Sequence, residues 1–314
     1  MHRRSEILTL LIWVILVMST QAQSVIYRDT TPQLTVPFLY ERPAIDGKVD
    51  FDVNDLPVHH MGVIERTDST QPYQEVNYRL GYGVDFLYLY LEVPVAKITY
   101  RDRGYQNGDG IVIVISSVEP GNKPTNEFYV LGFTPQSDTN QAWQKAFVWY
   151  HDVDLAMKPL KETRFGYAEQ GDKVGYEVLI PWSDLHPYHP WLGTQFGFNL
   201  CYTEAIGKSD QTYQFVVGDD QIQSEQHPRR YTPLTFAYPT GGTTRAAVRL
   251  ERNNIHQGQS INAYAAFLAD SNVTQDLRFF TYSKVRGQCC ERLLTMVGTG
   301  KVDTSSISGM RSHN

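Results

Sequence analysis

The segment DGKVDFDVND sets Asp46, Asp50, Asp52, Asn54 and Asp55 within ten residues. Carboxylates at alternate positions offer the hard oxygen ligands that Ca²⁺ takes. The spacing resembles the start of an EF-hand loop, but Asp55 stands where that loop requires Gly and Met61 where its bidentate Glu belongs. Asp46, Asp50, Asp52 and Asp55 are therefore candidate ligands of a structural calcium ion. They are also the residue types that close turns and cap helices without any metal. A second cluster, YRDRGYQNGDG (100–110), packs Arg101, Asp102, Arg103, Tyr105, Gln106, Asn107 and Asp109 together. Planar guanidinium, amide and carboxylate groups bond vicinal hydroxyls, and the same groups brace a solvated loop internally.

Aromatic residues make up the third group. An aromatic ring stacks on the C–H face of a sugar while polar neighbours bond its hydroxyls. QAWQKAFVWYHD puts Trp143, Lys145, Phe147 and Trp149 on one face of a strand, a pattern that fits a ligand platform or a core face. EFYVLGF carries Tyr129, and the Pro-rich HPYHPWLG carries Tyr188, His189 and Trp191 on an expected surface loop. In DFLYLYLEV, Leu87, Leu89, Leu91 and Val93 take one parity, and Phe86, Tyr88 and Tyr90 take the other. The aliphatic parity belongs in a core, and covering loops are expected over the aromatic one.

The elements that must position these residues are short strands. Runs at 76–84, 86–93, 110–118, 127–133, 145–153, 173–180, 196–205 and 212–218 are β-branched and aromatic, with turn residues between them. No sustained helical period occurs; PWSDL (181–185) reads as one helical turn. The expected class is all-β, an antiparallel sandwich over 32–237. YPTGGTTRA marks a linker at 238–245, three further strands suggest a partial second β-domain at 246–288, and the polar 289–314 reads as a disordered tail.

Formal net charge is −6 and no basic run follows the first four residues, which argues against a nucleic-acid partner. The basic MHRRSE, the apolar Ile7–Met18 and the small residues up to Ala22 read as a signal peptide over 1–22. That apolar run is short for a bilayer span, so the expected location is secreted or periplasmic, with no stable membrane span after cleavage. Cys201, Cys289 and Cys290 form no disulfide framework or zinc pattern. No GxSxG, HExxH or P-loop sequence is present, and no sequence spacing pairs Asp109, Glu127 and Glu177 for glycoside hydrolysis.

The order PAIDGKVDFDV, YRLGYGVDFLYLYLEV, NGDGIVIVI, GYEVLIPWSDL, FGFNL resembles that of the family 9 carbohydrate-binding modules and their DOMON-like β-sandwich relatives, over about residues 36–236. The resemblance implies two packed antiparallel sheets, sugar binding without catalysis, frequent structural calcium, and attachment to a polysaccharide-degrading enzyme. It places the binding edge at the 100–110 loop. Where that family typically has a stacking Trp, this chain has Gln106, and SEQHPRRYTPL lacks a second one. Haem-binding relatives use an axial Met/His pair, for which Met61 and Met157 would be the methionines. The combined expectation is an exported carbohydrate-binding module of a longer protein. Its candidate contacts are Tyr105, Gln106, Asn107, Asp109, Tyr129, Trp149 and Trp191. The alternative expectation is a periplasmic or extracellular sensory domain with a non-glycan ligand.

Overall fold

The computed structural model describes residues 25–27, 33–64, 75–95, 97–117, 128–137, 146–150, 158–186, 188–191, 196–206, 210–215, 231–239, 245–250, 260–268, 274–285, 288–299 and 303–311. The expected signal segment lies outside them. The strands are β1 (Val25–Tyr27), β2 (Leu34–Val36), β3 (His59–His60), β4 (Gly62–Ile64), β5 (Asn77–Tyr82), β6 (Phe86–Val93) and β7 (Gly110–Ser117). They continue with β8 (Tyr129–Phe133), β9 (Ala146–Tyr150), β10 (Lys158–Pro159), β11 (Arg164–Glu169), β12 (Val174–Pro181), β13 (Phe196–Ile206), β14 (Asp210–Phe215) and β15 (Thr232–Phe236). Last come β16 (Arg245–Leu250), β17 (Ser260–Leu268), β18 (Thr274–Val285), β19 (Gln288–Thr299) and β20 (Asp303–Arg311).

One sheet runs β1-β4-β14-β13-β7-β8-β9-β10, with β15 beside β13 and β2 parallel to β15; the other runs β11-β12-β6-β5-β3. The remaining pairings in both sheets are antiparallel, as the sequence led one to expect. Side-chain alternation builds the core between them. Leu87, Leu89 and Leu91 of β6 and Val178 and Ile180 of β12 face Ile111, Ile113 and Ile115 of β7 and Leu200 of β13. Cross-strand partners share a face, so the pairing Leu89↔Val178 seals the inside while Tyr88↔Leu179 and Tyr90↔Glu177 point out.

That outward face is also buried. Leu39, Val53 and Leu56, from the segment between β2 and β3, pack on Phe86, Tyr88, Tyr90 and Leu179. A one-turn helix, Phe51–Asn54, shapes this strap. The tyrosine face of β6 is thus a covered surface, as the parity argument requires. The outer face of the larger sheet is treated likewise: Tyr105, Phe128 and Tyr231 cover Val112, Val114, Val130 and Cys201. Met61, a haem-ligand candidate from the resemblance, sits fully buried in the inter-sheet core.

The segment expected as a disordered tail carries strands at Gln288–Thr299 and Asp303–Arg311. β19 pairs with β18 along its whole length, and β20 pairs with β17 in a sheet ordered β16-β17-β20. The Ser/Thr-rich DTSSISGMR has no apolar alternation, but ladder pairing is satisfied by backbone groups and needs only a partner edge. The strand-bearing segment after the linker therefore runs to Arg311, past the expected end at 288.

Because Leu89 is enclosed on the core side, Leu89→Ala should lose about 2–5 kcal/mol of stability, and the volume-conserving Leu89→Met less than about 1.5 kcal/mol. Chemical denaturation checks both values.

Candidate functional site

The Ile-Asp-Gly turn is built around a buried carboxylate. Glu177 Oε2 accepts the N–H groups of Asp46 (2.8 Å) and Gly47 (2.7 Å), and Oε1 accepts the Tyr88 hydroxyl. Gly47 has φ +84°, and a Cβ there would lie 2.2 Å from the Ala168 nitrogen, so the turn admits only glycine. Burial raises the Glu177 pKa against the three donors that lower it, and raises Tyr88 as well. The acidic cluster resolves as turn chemistry: Asp46 Oδ1 accepts Lys48 N–H at 3.0 Å, and Asp50 Oδ2 accepts Ala44 N–H at 2.8 Å. Asp52 and Asp55 point to solvent. Among the described residues no group of three or more His, Cys, Asp or Glu side chains is placed to hold a metal ion. In this structure Asp46 and Asp50, two of the four expected calcium ligands, brace the turn itself.

The 100–110 loop is braced from within. Asp109 is buried, its Oδ2 accepting Thr99 N–H (2.7 Å) and its Oδ1 accepting Ala205 N–H (2.8 Å). Desolvation raises its pKa and outweighs those donors. The Arg101 guanidinium donates to the Asn107 carbonyl at 2.8 Å. Tyr105, within the helical turn Gly104–Asn107, is 1% exposed, and burial pushes its phenol up to about 12. Tyr105 and Asp109 are thus structural; Gln106 is half-buried and Asn107 exposed.

The other aromatic candidates are not gathered there. Trp191, expected on the surface, is 1% exposed, stacks on Phe38 and donates its indole N–H to the Tyr82 hydroxyl at 3.3 Å. The described stretch 188–191 carries the ring inward onto Phe38 and Tyr82. Tyr129 is buried and donates to the His186 carbonyl. Trp182 packs as expected, its indole N–H on the Gly83 carbonyl at 3.1 Å. Trp149 lies on β9, and its side chain falls outside the described residues, as does Trp143.

A different site emerges at the opposite end, where β6 begins and β12 ends. A half-open cleft of about 650 Å³ is lined by Arg42, Asp85, Lys161, Glu162, Arg164 and Ser183, backed by Trp182 and His189. Arg42 bonds Asp85 at 3.1 Å and lies over the Phe86 ring at 5.5 Å. The His189 ring is held at both nitrogens: Nε2 lies 2.9 Å from the Val84 carbonyl oxygen, and Nδ1 lies 3.2 Å from the Trp191 backbone nitrogen. Asp184 ties the Lys161–Arg164 wall to the 3₁₀ turn Trp182–Leu185, accepting both Thr163 N–H (3.1 Å) and Thr163 O–H (2.7 Å). A neighbouring cavity of about 540 Å³ shares Thr163 and Arg164 and is lined further by Ile45, Pro159, Leu160 and Phe165.

Two tyrosine rings stand open at this end. Tyr40 is 48% exposed and Tyr238 53%, and both lie near enough to Tyr82 to raise its pKa further, which burial already pushes up to about 12. Tyr40, Arg42, Lys161, Arg164 and Tyr238 were absent from the sequence-derived set. The charge-rich KPLKETR before a strand was the readable signal, since loops at sheet ends carry binding residues.

No protein-family model matches the chain, and no curated protein matches it. Among solved structures it is similar to a family 9 carbohydrate-binding module from Caldicellulosiruptor kristjanssonii in complex with cellotriose. That similarity has 14% identity and a TM-score of 0.48, and covers 67% of this chain and 100% of the other. A glucose complex of a family 9 module from the same organism gives 15% identity over 67% of this chain and 98% of that one, with a TM-score of 0.48. Among the described residues no helix is long and apolar enough to cross a membrane.

Glu177→Ala strands three donors and should cost at least about 3 kcal/mol, while Glu177→Gln keeps an acceptor for the turn and costs less. A carboxyl whose folded pKa is raised holds its proton more tightly in the folded state. Its contribution is therefore full below the ordinary value of 4.5 and is lost as pH climbs through the folded value. Asp109 and Glu204 are raised as well and act in the same direction. Urea midpoints across this range should fall with rising pH in the native chain and fall less steeply in Glu177→Gln.

Proposed function

We propose that this protein is an exported, non-catalytic carbohydrate-binding module that takes its ligand at the cleft end of the sandwich. The observation that carries this reading is a concave site lined by Arg, Asp, Glu, Lys and Ser side chains, with two half-exposed tyrosine rings, Tyr40 and Tyr238, outside its lining and near Tyr82. Rings of this exposure can stack on the apolar face of a sugar, and forked or multi-donor polar groups can bond its hydroxyls. Rigid placement supports affinity, because Arg42 is held by Asp85 and Phe86, and the opposite wall is tied down through Asp184.

Binding without turnover is supported by what the buried carboxylates do. Asp109 accepts from Thr99 and Ala205, and Glu177 from Asp46, Gly47 and Tyr88, so both serve the fold. Glu127 lies outside the described residues. Export is supported by the basic and apolar N-terminus, and a role as the recognition part of a larger polysaccharide-processing protein by the family resemblance.

A glycan array followed by calorimetric titration tests the reading. Tyr40→Ala and Tyr238→Ala should each weaken the best ligand about fivefold or more at little cost in melting temperature. Trp191→Ala should lower the melting temperature markedly, because it empties a core position. Unchanged affinity in the Tyr40→Ala/Tyr238→Ala double variant would remove the site, and no binding to any glycan at millimolar concentration would remove the function.

A further inference from the structure

We infer that the cleft selects an acidic glycan, one carrying uronic-acid carboxylates, over a neutral one; this rests on the carbohydrate reading of the same site. The chain as a whole is acidic, at −6, yet this cleft is not. Its walls bring Arg42, Lys161 and Arg164 against Asp85 and Glu162. Asp85 is already neutralised by Arg42 at 3.1 Å. That leaves two cations facing one carboxylate. Among the described residues neither the Lys161 nor the Arg164 side chain makes an ion pair.

The geometry favours a ligand carboxylate over a protein one. Lys161 lies just before β11 and Arg164 opens that strand, and Thr163 between them is anchored by two hydrogen bonds to Asp184. Their backbone is therefore held without either cation being consumed. A guanidinium fork accepts a carboxylate in bidentate fashion, and an ammonium adds a nearby point charge. Arg164 also borders the adjoining cavity of about 540 Å³, so a chain longer than one sugar can run past it. An anionic polymer repeats its carboxylates along that path; a neutral glucan offers only hydroxyls there.

The test uses the full chain titrated with an oligogalacturonate, a cello-oligosaccharide of equal length and a poly-glutamate of equal charge. At low salt the uronate should bind at least about tenfold tighter than the neutral sugar, and the advantage should shrink as salt rises. Lys161→Gln/Arg164→Gln should erase that advantage, both sites being exposed and the melting temperature unchanged. Glu162→Gln should instead increase uronate affinity, a gain that misfolding cannot imitate. Equal or tighter binding of the neutral sugar overturns the inference and leaves the carbohydrate reading standing. Uronate binding indifferent to the double variant, or matched by poly-glutamate, overturns it too. Failure of both sugars to bind at millimolar concentration removes the carbohydrate reading itself.

Discussion

A carboxylate shut off from the surface anchors the architecture on which the cleft depends. Glu177 sits in the middle of β12, on the outer face of its sheet, where an unsatisfied charge would be costly. Three donors satisfy it: the Tyr88 hydroxyl from the neighbouring strand and two backbone N–H groups from the turn at Asp46 and Gly47. The bond set works in both directions. It makes a buried carboxylate tolerable, and it pins the strap of residues 39–56 across Tyr88, Tyr90 and Leu179. Tyr40 and Arg42 belong to that strap, so the cleft-lining cation and the exposed ring two residues before it take their places from a contact made on the far side of the turn.

The same economy explains why both sheets are buried on both faces. Each sheet contributes one aliphatic face to the shared core, and each outer face is covered by a strap bearing large side chains. On the outer face of β6 the Tyr88 ring packs under the strap while its hydroxyl donates to Glu177. Glycine enters where the strap touches the sheet: Gly47 against Ala168, and Gly110, where a Cβ would lie 2.2 Å from the Tyr105 nitrogen.

The fold was legible where alternation was strong. β6, β7, β12 and β13 follow from their residue parity, and the one-turn helix after Pro181 follows from PWSDL. β11 was not readable, since RFGYAE mixes Gly, Arg and Glu and becomes a strand only because β12 offers it an edge. The site was less legible still. Whether an aromatic residue faces solvent is decided by tertiary packing. Trp191 in a Pro-rich loop and Tyr238 beside a linker give no local sign that the first is buried and the second exposed. Asp46 and Asp50 are ambiguous for a related reason: turn capping and cation binding favour the same residue types at similar spacings. The partners seen in the structure, the Lys48 and Ala44 N–H groups, show the turn-bracing role.

Amide hydrogen exchange of the full chain, with and without a bound oligosaccharide, tests most directly where recognition occurs. The account predicts slowed exchange at 40–42, 83–85 and 161–164, the segments that bring Tyr40, Arg42, Asp85, Lys161 and Arg164 to the cleft end. Protection confined to the 100–110 loop, with none of those segments affected, would contradict it.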